Sequence, residues 1–273
     1  MPESQSLPDI NRLSIVSAAI MLAFALTQIV SFPAQRISLL IFGIQISFLL
    51  DFGFVITIFT AILAAAGTDW LIQSHPEKGM GDTILRNARH WVVPILTTLV
   101  IGVVLNSFAG GPYWWIIYGL GSILLIAVLI SEYNVIKPEI SKHPLATVGL
   151  IGLIFALYLL MAVAVFSANL RLYLRVPLLA IGAMMAISRT LYLRVGRWYP
   201  IWALINSLVV SEVVVGFHYL PHSPIQFGLL LVGMAYALTS IVTGIKESRK
   251  GWQLWGEPSA MLLLMILVSL LWG

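Results

Sequence analysis

Apolar stretches of about 20 residues alternate with short polar stretches along the whole chain. A helix of about 20 apolar residues, rising 1.5 Å per residue, crosses a hydrocarbon core of about 30 Å. The pattern therefore predicts an all-α polytopic membrane protein with about nine transmembrane helices. Their approximate bounds are 13–32, 52–71, 91–108, 113–131, 144–167, 176–192, 199–219, 225–245 and 258–272.

The second apolar stretch is too long for one span. As a single helix, residues 37–71 would measure about 52 Å, well beyond the core thickness. Residues 44–48 alternate with a period of two, and Phe42-Gly43 suits a turn. We predict a short extended or hairpin-like segment from Arg36 to Leu50 on the outer surface, with the next span beginning near Phe52. The alternative is a kinked, tilted helix.

Basic residues are sorted by side when the spans alternate across the membrane. Only Arg36, Arg171 and Arg175 fall on one face, and Arg189 lies inside a span. The rest of the 15 Lys and Arg residues share the other face, namely Arg12, Lys78, Arg86, Arg89, Lys137, Lys142, Arg194, Arg197, Lys246, Arg249 and Lys250. Basic residues near span ends stay cytoplasmic. We therefore expect a plasma (inner) membrane protein with a cytoplasmic N-terminus and an extracytoplasmic C-terminus.

Composition agrees with a membrane protein and excludes some chemistry. The chain is 60% hydrophobic and 10% charged, whereas a soluble domain is about 25% charged. The net charge of +4 reflects the sided basic residues, so we expect no nucleic-acid partner. With no cysteine, disulfides, thiolate metal sites and redox pairs are excluded. The first apolar run lacks a basic leader and a small-residue cleavage site, so we expect it to be a retained span.

The two halves of the chain resemble each other. Residues 89–95 open the third span and residues 197–201 open the seventh, and each follows a basic inner loop. Upstream, residues 36–39 correspond to residues 171–174. An offset by an even number of spans gives parallel repeats related by an axis along the membrane normal. Chance similarity between apolar segments is the alternative.

This repeat predicts the organisation of the whole chain. A cytoplasmic tail at residues 1–12 is followed by two four-helix units at residues 13–134 and 135–248. Residues 249–273 then form an interfacial segment and one extra C-terminal helix. Residues 169–175 alternate strictly and are predicted to be extended. They would lie symmetrically with the Arg36 segment on the outer surface, as paired short strands.

Two charged residues lie within predicted spans. A charge at the centre of a span costs about 2.5–3.5 kcal/mol on insertion scales, which favours pairing. Arg189 lies about 12 Å from the inner end of its span, and Glu212 about 18–20 Å from the same side of the next. We predict a direct or water-bridged intramembrane ion pair between them. It either has a functional role or only holds two helices together.

The outer arginines are the best candidate for ligand binding, because they oppose the positive-inside bias. Guanidinium groups bind phosphate bidentately, so Arg36, Arg171 and Arg175, with Tyr173, form a predicted anion or lipid-headgroup site. The alternative is that these side chains extend to the outer headgroups without a specific ligand. A polar cavity is predicted from Asp51, Asn106, Ser211 and His218.

Motifs for catalysis or cofactor binding do not occur. The chain lacks GxSxG, P-loop, HExxH and GxGxxG patterns. His218 and His222 have a metal-ligand spacing, but Pro221 interrupts the helix between them and no acidic residue completes a site. We assign no catalytic residue, expect no metal or cofactor, and leave open whether the protein is an enzyme.

Three functions are compatible with the sequence. The favoured one is a non-catalytic membrane subunit, scaffold or lipid-binding component, whose partners are membrane lipids and other membrane protein subunits. The second is a membrane enzyme acting on an anionic or isoprenoid lipid at the outer leaflet, with Asp51, Glu212 or His218 for acid–base chemistry. The third is a small-solute transporter, which parallel repeats and a midplane charge pair would suit.

Overall fold

The computed structural model describes residues 8–30, 32–41, 44–74, 84–108, 110–135 and 144–271. Contacts divide the chain into two compact units, Met1–Ile136 and Lys137–Gly273. Within the described ranges, nine helices are long and apolar enough to cross a membrane. The predicted all-α polytopic fold with about nine spans is therefore confirmed.

The first unit contains four helices and a β-hairpin. Their bounds are α1 (Ile10–Ile29), β1 (Gln35–Ile41), β2 (Ile44–Leu50), α2 (Phe52–Ile72), α3 (Ile84–Asn106) and α4 (Pro112–Asn134). Helices α1 and α3 both pack against α2 and α4. The core includes Ile20, Phe24 and Leu125, all almost completely buried. The Tyr118 hydroxyl donates to the Met21 carbonyl at 3.1 Å, which ties α4 to α1.

The hairpin-like segment is confirmed. Strands β1 and β2 pair antiparallel, with Gln35 opposite Leu50 and Ile41 opposite Ile44. Phe42 and Gly43, predicted to form the turn, lie outside the described residues. Asp51 starts the next helix, because its carboxylate accepts from the Phe54 backbone N–H at 2.6 Å. The kinked-helix alternative is therefore wrong.

Small residues allow α2 and α3 to approach closely. Gly53 lies against the Asn106 side chain, and Gly102 lies against the Thr57 side chain, so a Cβ at either glycine would overlap its neighbour. Such contacts are typical of helix pairs in membranes, where packing rather than water exclusion drives association. This close approach holds the two helices that follow the hairpin.

The second unit contains five helices. Their bounds are α5 (Pro144–Ser167), α6 (Leu172–Val195), α7 (Pro200–His218), α8 (Pro224–Lys246) and α9 (Trp252–Leu271). Helices α5 and α7 pack against α6 and α8, α6 also contacts α8, and α9 packs against α8. Tyr158, Leu191 and Phe227 lie in the core, and the Tyr158 hydroxyl donates to the Leu179 carbonyl at 3.4 Å.

Helices at matching positions in the two units have matching neighbours. The pairs α1–α2, α2–α3, α3–α4, α1–α4 and α2–α4 recur as α5–α6, α6–α7, α7–α8, α5–α8 and α6–α8. An internal repeat would give this agreement, and the repeat itself stays a prediction. Helix α9 has no matching helix in the described part of the first unit.

Helices α3 and α9 begin well before the positions that hydropathy predicts. Helix α3 begins at Ile84 inside the predicted polar loop, and Asn87 fixes its first turns to α2 by donating to Asp69 at 2.8 Å. Helix α9 begins at Trp252, and Pro258 lies within it. That proline removes only the hydrogen bond to the carbonyl four residues earlier, so it does not end the helix.

The extended structure predicted for residues 169–175 is wrong. Asn169 turns the chain with a φ of 49°, Arg171 is the N-cap, and α6 is helical from Leu172. An alternation over only seven residues is too short to distinguish a strand from the first turns of a helix. The expected pairing of this segment as a strand with the Arg36 segment is wrong for the same reason.

Candidate functional site

The end of the second unit where α6 begins and α7 ends, called the Arg175 end below, joins two residues that the sequence placed in separate sites. Arg175 is 5% exposed, and its Nη1 lies 3.0 Å from Nδ1 of His218. Because a guanidinium can only donate, His218 Nδ1 is the acceptor and its imidazole is neutral. The guanidinium also lies 4.7 Å from the centre of the Phe166 ring.

The charge of Arg175 is not balanced by a carboxylate in the described part of the chain. Within the described residues of the second unit, Arg194 and Arg249 form ion pairs, whereas Arg175 forms none. The Nε atom of Arg175 is buried, and no acceptor lies within hydrogen-bonding distance of it. A buried guanidinium in this state is costly unless an anion is supplied from outside the chain.

The other members of the predicted anion site are placed differently. Arg171 is exposed one turn before Arg175, on the same face, and its side chain does not cap α6. Tyr173 is half-buried near the start of the same helix. Arg36 is exposed on β1 of the first unit. Within the second unit, the predicted site is therefore built around Arg175 and Arg171.

The predicted pair of Arg189 and Glu212 is not brought together. Arg189 is completely buried on α6, whereas Glu212 is exposed on α7. Leu208 and Val215, which share the helix face of Glu212, are also exposed. Among the ion pairs of the described residues, none joins Arg189 to Glu212.

The residues of the predicted polar cavity have separate local partners. Asp51 caps α2, and Asn106 donates to the Thr57 hydroxyl at 3.4 Å. Ser211 donates to the carbonyl of Ser207 in its own helix at 2.8 Å. His218 joins Arg175. Asp51 and Asn106 belong to the first unit, and Ser211 and His218 to the second.

A charged network that sequence reasoning missed lies where α6 ends and α9 begins, called the Arg194 end below. Arg194 donates to Glu257 Oε1 at 3.0 Å and to the Tyr236 hydroxyl at 2.6 Å. The Tyr236 hydroxyl in turn donates to Glu257 Oε1 at 2.7 Å. Arg249 lies 3.4 Å from Glu257 Oε2 and 2.6 Å from Glu247. Positive and negative groups therefore alternate from Arg194 to Glu247.

This network forms one wall of a cavity of about 500 Å³. Helix α5 supplies Thr147, Val148, Ile151 and Gly152 to the same lining. The lining residues are Thr147, Val148, Ile151, Gly152, Leu193, Arg194, Tyr236, Thr243, Glu247, Arg249 and Glu257. The cavity is thus amphipathic, with an apolar side and a side carrying both signs of charge.

The turn between α8 and α9 positions Arg249. Ser248 has a left-handed φ of 58°. The backbone N–H of Arg249 donates to the carbonyl of Gly244 at 2.9 Å, and that of Ser248 donates to the carbonyl of Ile245 at 3.1 Å. These two bonds define a Schellman motif, which ends α8 sharply and reverses the chain. Arg249 is therefore held beside the start of α9, within reach of Glu257.

Two signals in the sequence could have revealed this network. Tyr236 lies in the middle of a span, where a hydroxyl needs a hydrogen-bond partner. Hydropathy predicts a span that begins at Pro258 and leaves Glu257 in a loop, although Trp252 to Trp255 continue the apolar pattern. A start at Trp252 would have placed Glu257 inside a helix and marked it as a partner for Tyr236.

The first unit contains a buried polar pair that the sequence also assigned to loops. His90 and Glu132 are 2% and 0% exposed, with His90 Nδ1 3.1 Å from Glu132 Oε2. Arg89 Nε donates to His90 Nε2 at 3.2 Å, so Nδ1 carries the ring proton and donates to Glu132. The pair was missed because α3 and α4 extend beyond their apolar stretches.

Comparison with known proteins identifies a family. The model of a family described as "Protein of unknown function (DUF5656)" matches residues 32–272. The matched range includes the hairpin, α2 to α9 and every candidate residue described above, and it begins after α1. No curated protein and no solved structure matches the chain.

Proposed function

The chain belongs to the DUF5656 family, and we propose that this member is a non-catalytic membrane component that binds an anionic lipid headgroup at the Arg175 end. The proposal places it in the plasma (inner) membrane, with the N-terminus in the cytoplasm and the C-terminus outside. One observation carries the proposal: Arg175 is buried, and among the described residues its charge has only a neutral imidazole and an aromatic ring beside it.

A phosphate group suits this environment. The guanidinium presents several donors, and its interaction with His218 occupies one of them. Arg171 lies one turn earlier on the same helix face, so a second guanidinium can reach the same anion. Arginine pairs with phosphate through two parallel hydrogen bonds. The start of a spanning helix also lies near the depth of lipid headgroups.

The residues considered for acid–base chemistry favour binding over catalysis. Asp51 is engaged as an N-cap. His218 accepts from Arg175. Glu212 is exposed on α7, among exposed apolar residues. A lipid enzyme would need such groups to converge on one substrate atom.

The proposal is tested by measuring which phospholipids stay bound to the purified protein. The protein is incorporated into lipid nanodiscs with equal amounts of phosphatidylglycerol and phosphatidylcholine, extracted in mild detergent and analysed by native mass spectrometry. We expect one phosphatidylglycerol to be retained preferentially. Arg175→Gln removes the charge at similar size and should reduce this retention about tenfold, equivalent to about 1.4 kcal/mol.

Arg197→Gln is the matched control, because Arg197 is an exposed arginine of the same unit beyond the other end of α6. It removes one positive charge without touching the Arg175 end. Equal loss of phosphatidylglycerol retention in both variants would show that the effect depends only on net charge, which would contradict the proposal. Undiminished retention by a folded Arg175→Gln protein would also contradict it.

A further inference from the structure

The cavity at the Arg194 end is electrostatically balanced, unlike the Arg175 end. Two arginines and two glutamates line it, so the wall carries no net charge. A purely anionic ligand would bind Arg249 and weaken its contact with Glu257, so the charge of that carboxylate would be less well balanced. A purely cationic ligand would bind Glu257 and leave the charge of Arg249 less well balanced. A ligand that carries both charges can enter without leaving either group unpaired.

Within the network, one contact is open to insertion. Glu257 Oε1 accepts two short hydrogen bonds, from Arg194 and Tyr236. Glu257 Oε2 lies 3.4 Å from Arg249, the longest contact of the network, and the Glu257 carboxylate also has a hydrogen bond with Ser240. The side chains of Arg249 and Glu257 are 36% and 37% exposed, whereas Arg194 is 18% exposed. Arg249 and Glu257 Oε2 therefore face the space that a ligand would occupy.

We propose that this cavity binds a phosphoethanolamine group, with its phosphate at Arg249 and its ammonium at Glu257 Oε2. Arg249 keeps Glu247 as a second partner, and Glu257 keeps Arg194 and Tyr236. The primary ammonium donates hydrogen bonds to a carboxylate, which a quaternary ammonium cannot do. Quaternary groups are recognised by several aromatic rings together, and among the described residues of this lining Tyr236 is the one that is aromatic.

The apolar wall favours a lipid over a soluble phosphoethanolamine. Val148, Ile151 and Gly152 of α5 line the same cavity as the network, and Val148 is 67% exposed. The first methylenes of an acyl chain can lie along this wall while the headgroup reaches the charged residues. Gly152 provides space there, because a Cβ at this position would meet nothing within 4 Å.

The open space at Gly152 provides a test of the cavity. Gly152→Leu adds a side chain on the cavity wall, and its Cβ would meet no atom within 4 Å. Gly149→Leu is the matched control, because Gly149 is on the same helix, also has open space around it and does not line the cavity. Arg249→Gln removes the phosphate partner, with Lys250→Gln, which lies outside the lining, as its charge control.

The full-length protein is titrated in detergent with phosphatidylethanolamine, phosphatidylcholine or phosphatidylglycerol, and bound lipid is counted by native mass spectrometry. We expect about tenfold stronger binding of phosphatidylethanolamine than of phosphatidylcholine, equivalent to about 1.4 kcal/mol. Gly152→Leu and Arg249→Gln should abolish this preference, whereas Gly149→Leu and Lys250→Gln should retain it. Circular dichroism and thermal melting establish that each variant is folded.

Three outcomes would overturn the proposal: equal binding of the three lipids, an unchanged preference in folded Gly152→Leu, or the same loss in both members of a variant pair. Competition by soluble O-phosphoethanolamine at equal concentration would keep the headgroup assignment and overturn the lipid source. Arg175→Gln should leave the preference for phosphatidylethanolamine over phosphatidylcholine unchanged and reduce only the binding of phosphatidylglycerol. The two proposals therefore succeed or fail separately.

Discussion

Two histidines have their hydrogen-bonding roles set by an adjacent arginine. His218 Nδ1 accepts from Arg175, and His90 Nε2 accepts from Arg89. An arginine has no lone pair to offer, so each imidazole is neutral with one nitrogen as acceptor. The remaining ring nitrogen of His90 donates to Glu132. The Arg89 guanidinium therefore determines which ring nitrogen of His90 carries the proton in the buried pair with Glu132.

Removing the carboxylate of that pair should destabilise the first unit. In Glu132→Leu, His90 loses its acceptor in a fully buried position, and loss of one member of a buried pair costs about 3–5 kcal/mol. We expect the melting temperature in detergent to fall by about 10 °C. Glu132→Gln keeps an acceptor for His90, so its melting temperature should fall by less than half as much. Equal melting temperatures for Glu132→Leu and the wild-type protein would contradict this role.

At the scale of elements, helix ends decide where the charged residues meet. Helix α8 ends in a Schellman motif, whose left-handed position is normally glycine. This chain has Ser248 there, at a φ of 58°. The motif brings Arg249 back to Glu257, so the ordering of the turn supports the network at the Arg194 end.

Replacing Ser248 by glycine should stabilise the turn between α8 and α9. Glycine has no Cβ and adopts the left-handed conformation without strain. The gain should be about 0.5–1 kcal/mol, seen as a small rise in the melting temperature. Ser248→Ala keeps the Cβ and should melt like the wild-type protein. A lower melting temperature for Ser248→Gly would show that the serine stabilises this turn by another interaction.

The sequence predicts the positions of the spans but not the ends of the helices. Span positions could be predicted because length and hydropathy alone determine whether a segment can cross a bilayer. Helix ends could not, because polar residues such as Asn87 and Glu132 continue helices beyond the apolar stretch. The pairing of Arg175 with His218 depends on the register of α6 against α7. Residues 43 positions apart give no local signal of such a register.

At the scale of the whole molecule, each unit repeats one set of helix neighbours, and the chain crosses the membrane an odd number of times in the described residues. An odd number of crossings places the two ends of the helical region on opposite sides. The sidedness of the basic residues then gives the proposed orientation. That orientation also determines which leaflet each candidate site faces, with the Arg175 end on the outer side and the Arg194 end on the inner side.

Cysteine labelling tests this orientation directly, because the chain contains no cysteine of its own. Ser107→Cys and Lys250→Cys each introduce one exposed thiol, after α3 and before α9. In intact cells, a membrane-impermeant maleimide should label Ser107→Cys but not Lys250→Cys, which should react only after permeabilisation. The reverse pattern would invert the proposed topology, and labelling of both in intact cells would contradict it.

The hairpin between α1 and α2 indicates where along the chain the surface of the hydrocarbon core lies. A two-stranded ribbon uses half of its backbone groups in the ladder between its strands and directs the other half outward. Hydrocarbon offers those outward groups no partner, at a cost of several kcal/mol for each. The oil–water boundary must therefore lie where the helices give way to the ribbon, between Ile29 and Gln35 on one side and close to Asp51 on the other.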